Sequence, residues 1–121
     1  MKIQLMSVFV GGGIGSVLRF LVSFFIVKFY NHSFPLATLI SNILACFLMI
    51  FFILFFKNKT DYPEWFTLFL LTGVCGGFST FSTFSYENYL LFQQNYFGIL
   101  SANIIISVLV SLLFFIILLK N

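Results

Sequence analysis

Three polar breaks divide the chain into four apolar blocks. The first covers residues 3–29 and ends at Tyr30-Asn31-His32-Ser33. The second covers 34–56, opened by Pro35 and closed by Lys57-Asn58-Lys59-Thr60-Asp61. The third covers 63–92 and opens at Pro63-Glu64-Trp65, a proline and an acid that suit the first turn of a helix. The fourth covers 97–119 and ends at Lys120. Blocks one, two and four each have about the 20 apolar residues that a spanning helix needs. Trp65, Tyr30, Tyr62, Tyr89 and Tyr96 lie towards block ends, where amphipathic rings prefer to sit. The pattern predicts an all-α membrane protein with four transmembrane helices in a single transmembrane domain, residues 1–121.

The third block is too long for that scheme. As one continuous helix it would measure about 45 Å at 1.5 Å per residue, against a hydrocarbon core of about 30 Å. Its middle, residues 72–83, is rich in glycine and hydroxyls. One reading makes it two half-helices joined by an unwound stretch around 73–83, near mid-membrane. Unwound backbone survives there only when it is buried in protein or lines a polar cavity, and broken helices are where channels and transporters hold ions. The other reading is a strongly tilted helix with a glycine-rich packing seam.

Composition agrees with lipid as the main solvent. Hydrophobic residues make up 61% of the chain and charged residues 7%, where soluble domains run near a quarter charged. The net charge of +3 lies mostly at block ends, which suits a membrane–water interface and offers no basic face for nucleic acid. Cys46 and Cys75 both fall in apolar stretches with no CxxC and no neighbouring histidine, so they read as packing residues. His32 reads as a solvated loop residue. Asn31-His32-Ser33 and Asn58-Lys59-Thr60 fit the glycosylation sequon but sit in very short loops, as chance matches would. Lys2 and the following apolar run imitate a signal peptide, yet no small-x-small cleavage site follows.

Chemistry is confined to a few positions. Gly11 and Gly15 form a GxxxG pair, with Gly12 and Ser16 beside it, a spacing that lets membrane helices approach closely. A dinucleotide fingerprint would need glycine where Leu18 stands and a preceding strand. Arg19 lies roughly ten residues inside the first block, far for a side chain to snorkel, which favours a vestibule or a backbone-carbonyl partner. Thr38, Ser41 and Asn42 make one polar stripe at i, i+3, i+4 in the second block, fit for interhelical hydrogen bonds or for the wall of an ion path. In the third, Ser79 to Ser85 alternates hydroxyls with Phe81 and Phe84, which share a helix face. A phenyl ring has a positive edge, and hydroxyls supply donors. Together they suit a small, hard anion that must be partly dehydrated and still released. Glu87, the acid inside an apolar block, is buried and protonated, paired with Arg19 or a lysine, or placed at a pore mouth.

These residues resemble a known family. Residues 12–20 look like a first-helix GGxxGxxxR motif, 38–42 like a second-helix TLxxN motif, and 73–85 like a third-helix GxxGGxTTFSTFS motif. The set is similar to the Fluc/CrcB fluoride channel family, in order and over the whole chain, and the third motif is highly specific. The resemblance implies an antiparallel dual-topology dimer in a bacterial plasma membrane, passing fluoride passively to lower its cytoplasmic concentration. It implies a fluoride pore of Asn42, Phe81 and Phe84, a polar track of Ser82, Thr83 and Ser107, and Arg19 at an entrance vestibule. Glu87 matches an acid often found after the FSTFS run. Backbone carbonyls of Gly76 and Ser79 would hold a structural sodium ion (Na+) at the dimer centre. Ser79 stands where the family usually has threonine, and Ala45 where it usually has glycine.

Four spans put both termini and the second loop on one side, carrying Lys2, Lys57, Lys59 and Lys120, against Lys28 on the other. Positive residues favour the cytoplasm. The chain is therefore expected to insert mainly with its termini inside, and the dimer that the resemblance implies is either a homodimer or a heterodimer with an oppositely oriented homologue. A small four-helix multidrug exporter is the main rival, but it needs a carboxylate in the first helix, which has only Arg19. A non-transporting membrane subunit is another, and leaves the hydroxyl–phenyl pattern unexplained. No nucleophile–base pair, metal-ligand cluster or phosphate loop supports an enzyme.

Overall fold

The computed structural model describes all residues but Thr60 and Asn121. Thr60, the last position of the second sequon, thus lies outside the described residues. Four stretches are helical, long and apolar enough to cross a membrane: Lys2–Phe29, Leu36–Lys57, Glu64–Gln93 and Phe97–Leu118. Among the described residues there is no strand.

Helix α1, Lys2–Phe29, ends where Tyr30 turns extended at φ −125°, ψ 119°. The polar loop and Pro35 make continuation unfavourable, since a residue before proline is pushed out of helical space. Helix α2, Leu36–Lys57, starts directly after that proline. Pro63, extended at φ −66°, ψ 149°, caps α3, Glu64–Thr67, and places Glu64 in the first turn. A π-helical stretch, Leu68–Cys75, follows, then α4, Gly76–Phe78.

The chain then breaks for two residues. Ser79 (φ −78°, ψ 158°) and Thr80 (φ −149°, ψ 115°) are extended, and α5, Phe81–Gln93, starts anew. The Thr80 hydroxyl accepts the Thr83 N–H at 3.2 Å, the usual service of an N-terminal cap. The break is real but narrower than the 73–83 stretch expected from composition. Gly73 stays helical in the wider π turn and Gly76 and Gly77 in α4, so the glycines do not unwind the helix.

Their role is packing. A Cβ on Gly11 would run into the Phe69 carbonyl and stand 2.9 Å from Gly73 Cα; one on Gly15 would meet the Val74 carbonyl and lie 2.7 Å from Phe78 N. A Cβ on Gly77 would collide with the Gly12 carbonyl. The GxxxG surface of α1 is therefore spent on the third span of its own chain, backbone against backbone. Both readings of the third block hold in part: the glycine seam belongs to its first half, and the break follows it.

Helix α5 closes on Asn95, the described non-glycine residue with positive φ, 62°. Tyr96 N–H reaches Leu91 O at 2.9 Å and Asn95 N–H reaches Phe92 O at 3.1 Å, the paired bonds of a Schellman stop, with asparagine tolerating the left-handed position. Helix α6, Phe97–Leu118, then runs back along α5 and α2. Its Phe114 packs on Phe47 with ring centroids 4.4 Å apart.

Burial is distributed as in a protein whose solvent is lipid. Phe9, Phe20, Phe29 and many aliphatic side chains are exposed, while Ser7, Thr38, Ser41, Thr80, Asn88, Asn103 and Ser107 are buried. Ala45 is buried too, at 3% exposure, so its methyl is accommodated within α2's packed face. Cys75 is buried and Cys46 half-buried, both as free thiols, in keeping with packing residues.

Candidate functional site

The break is held by one side chain. Asn42 Oδ1 accepts the Thr80 N–H at 2.7 Å, and Asn42 Nδ2 donates to the Thr80 carbonyl at 3.2 Å. Breaking a helix leaves backbone donors and acceptors that lipid cannot satisfy. The Asn42 amide, with one acceptor and one donor side by side, satisfies both on the same residue. It sits in α2, so the position of the break is set from outside the third span.

Thr80 also borders two recesses. One is a cavity of about 320 Å³, lined by Ser16, Arg19, Thr38, Ser41, Thr83 and Glu87 among others. The other, which Thr80 also lines, is a groove of about 450 Å³, where Asn42, Cys46, Ser79, Phe81, Phe84 and Ser107 come together. The Phe81 and Phe84 rings lie 6.1 Å apart at 38°, so the shared face expected from their spacing is formed. A third recess, about 410 Å³, runs from the loop at Asn31, His32 and Ser33 inward to Glu87. It shares Ser23, Ala37 and Glu87 with the first cavity. Together they trace a course from the α1–α2 loop past Glu87 and Arg19 to Thr80, which the phenyl-lined groove also shares.

The polar stripe of α2 divides over this course. Thr38 and Ser41 face the Arg19 cavity, and Asn42 grips the break. The Thr38 hydroxyl donates to Glu87 Oε1 at 2.7 Å. Glu87 Oε2, Arg19 Nε and Ser41 Oγ are buried in the same neighbourhood without hydrogen-bond partners. Of the three placements open to Glu87, pairing with Arg19 is not the one adopted. Arg19 lines the cavity between α1, α2 and α5. Ser82 stands apart, exposed, its Oγ 3.5 Å from Thr80 Oγ1.

Gly76 and Ser79 flank the end of α4. Gly76 is exposed, with open space where a Cβ would stand, and its carbonyl accepts the Ser79 hydroxyl at a long 3.4 Å. Among the described residues no group of three or more His, Cys, Asp or Glu could hold a metal, so any cation here would depend on carbonyl oxygens.

Two site residues carry no local sequence signal strong enough to single them out. Asn103, at 1% exposure, donates from Nδ2 to Asn88 Oδ1 at 2.8 Å, and the Ser107 hydroxyl donates to Asn103 Oδ1 at 3.3 Å. The usable clue is that Asn103 and Ser107 stand four apart in an otherwise apolar span, and Asn88 four after Phe84.

A family model described as CrcB-like protein, Camphor Resistance (CrcB), matches residues 6–118. Among similar proteins, one named fluoride-specific ion channel FluC from Flavobacterium psychrophilum is 41% identical over 103 residues, 85% of this chain and 83% of its own. A protein of the same name from Azobacteroides pseudotrichonymphae is 42% identical over 100 residues, 83% of this chain and 80% of its own. Another of that name, from Pyrococcus horikoshii, is 42% identical over 104 residues, 85% of this chain and 82% of its own.

Proposed function

The chain belongs to the CrcB-like protein family, and from that premise we propose that it is a subunit of a fluoride-selective channel. It is a transport protein and not an enzyme, set in the plasma membrane through its four spans. It lets fluoride leave passively, which lowers the cytoplasmic concentration of a toxic anion. A negative interior drives an anion outward by about 2.3 kcal/mol per 100 mV.

The observation that carries the reading is the convergence of Phe81, Phe84, Asn42 and Ser107 on one groove beside the helix break. Positive ring edges and neutral donors attract a dehydrated anion without a full opposing charge, so entry and release both stay feasible. Arg19 and Glu87 serve the other recess at Thr80. Arg19 makes that cavity attractive to anions, while Thr83 extends the hydroxyl lining and Ser82 lies outside it, beside Thr80. The multidrug-exporter alternative fits less well, because α1 has no carboxylate with which to exchange protons for a cationic drug.

The finer assembly belongs to the same proposal. Phe81 is 80% exposed in the single chain, so the groove lacks an opposing wall that a second subunit would supply. An antiparallel, dual-topology dimer provides it twice and gives two pores. The carbonyls of Gly76 and Ser79 are hard oxygen donors that fit a sodium ion. One chain offers too few for a full shell, and the second subunit would double them. When bound there, sodium would tie the two α4 ends together.

Fluoride efflux from liposomes containing the purified chain tests this reading, with chloride efflux and Phe81→Ile as controls. The expected result is fluoride efflux far above chloride efflux, from the chain alone or after co-reconstitution with an oppositely oriented homologue, and a fluoride rate clearly reduced by the mutation. Equal fluoride and chloride efflux, or a rate indifferent to Phe81→Ile, would overturn it.

A further inference from the structure

Ser107 reaches the groove wall, yet its single proton points the other way, into the buried amide of Asn103. Asn103 in turn is oriented by Asn88, to which it gives an N–H at 2.8 Å. A hydroxyl has one donor and two acceptor lone pairs. In this arrangement Ser107 therefore shows the groove lone pairs, which repel an anion. The amides can reverse together. With both turned over, Asn88 donates to Asn103, Asn103 donates to Ser107 Oγ, and the Ser107 proton is free to point into the groove. Both hydrogen bonds, Asn103 with Asn88 and Ser107 with Asn103, are kept in either direction. A low-dielectric site rewards keeping both and penalises any half-reversed state.

We propose that Asn103 and Asn88 are positioning residues for anion passage: they form a reversible hydrogen-bond relay that sets whether Ser107 presents a lone pair or a proton to the groove. Neither touches the ion. The relay runs Ser107 to Asn103 to Asn88 when the groove is empty and reverses when an anion arrives. Donor direction is thereby supplied on demand, and Ser107 does not have to hold a fixed proton that would retain the ion. The proposal rests on the fluoride-channel reading, and it adds two residues from α5 and α6 that do not face the groove.

Fluoride efflux against fluoride concentration is measured for the wild-type chain, Asn103→Leu, Ser107→Ala and the double variant, each checked for monodispersity. Ser107→Ala should raise the half-saturating fluoride concentration about tenfold, as loss of one charge-assisted hydrogen bond does, whereas Asn103→Leu removes the acceptor that holds the Ser107 proton out of the groove and should lower it. The double variant should behave like Ser107→Ala, since Asn103 acts only through that hydroxyl. A double variant that departs from Ser107→Ala, or an unchanged half-saturating concentration in folded Asn103→Leu, would overturn the proposal.

If Asn103→Leu does not fold, isotope-edited infrared spectroscopy of asparagine side-chain carbonyls gives a second readout on wild type and Ser107→Ala. Fluoride should shift a carbonyl band in wild type and leave it unmoved in Ser107→Ala. A wild type that conducts fluoride with no such shift overturns the relay alone. A wild type that neither conducts nor shifts overturns the channel reading, and the relay with it.

Discussion

The function of this chain turns on how individual amides and hydroxyls are spent. Asn42 uses its donor and its acceptor on Thr80, the residue that would otherwise leave a backbone N–H and C=O unpaired within the membrane. Replacing it by Leu keeps the volume and orphans both groups, at about 1–3 kcal/mol each. Asn42→Leu should therefore lower the melting temperature of the solubilised protein and abolish fluoride flux. Asn42→Asp keeps an acceptor for the Thr80 N–H and should recover part of the stability. It should recover no flux, because an ionised carboxylate beside the groove repels an anion. A wild-type melting temperature for Asn42→Leu would show that the clamp is not what holds the break. Cys46 offers a second residue-scale test, since it lines the groove while Cys75 is sealed at 1% exposure. A small neutral methanethiosulfonate should slow fluoride efflux in wild type and Cys75→Ser but not in Cys46→Ser. Block that survives in Cys46→Ser would put the conducting path elsewhere.

Among the elements, α1 and the third span form the tightest pair, and glycine is what allows it. Gly15 has no room for a methyl, whereas a Cβ on Gly13 meets nothing within 4 Å. Gly15→Ala should push α1 off α4 and cost at least about 1–3 kcal/mol, the range for overpacking, with folded yield falling accordingly. Gly13→Ala should leave the chain's own fold intact. If Gly15→Ala expressed and melted like wild type, the seam would not be setting the approach. This contact also explains how much of the fold was legible beforehand. Four spans follow directly from uninterrupted apolar runs, and Phe81 with Phe84 from a three-residue spacing. The break was legible as a need, since 63–92 is too long to cross straight, but not as a place. Glycines at 73, 76 and 77 looked like the unwinding agents, yet all three stay helical, with 73 and 77 packed closely on α1. Ser79–Thr80 is extended because Asn42, 38 residues away, satisfies its backbone. A long-range partner of that kind leaves no local pattern. The Asn88–Asn103 pair was hidden for the same reason: each is one polar residue in an apolar span until the fold brings them to 2.8 Å.

At the scale of the whole molecule, orientation decides whether a single chain suffices. The ends of α2 and α6 and the start of α1 share one side of a four-span protein, and with them go Lys2, Lys57, Lys59 and Lys120. Lys28 closes α1 on the other side, and Arg19 is held deeper, in the cavity beside Thr38. Lysines in short loops near span ends favour the cytoplasm, and four against one is a clear bias. The proposed antiparallel dimer needs both orientations in one membrane, so a chain that inserts one way starves its own homodimer. Expressed alone with C-terminal topology reporters, it should give a mainly cytoplasmic signal. Fluoride export by cells carrying it alone should then be weak, and should rise when an oppositely biased homologue is co-expressed. Moving the bias by Lys57→Gln with Lys59→Gln should even out the two reporter signals and raise export by the chain alone, because homodimers then become frequent. Comparable signal from both sides in the unaltered chain would sink the idea, and would mean that Lys28 and the half-buried Arg19 weigh enough in insertion to balance the four lysines of the other side.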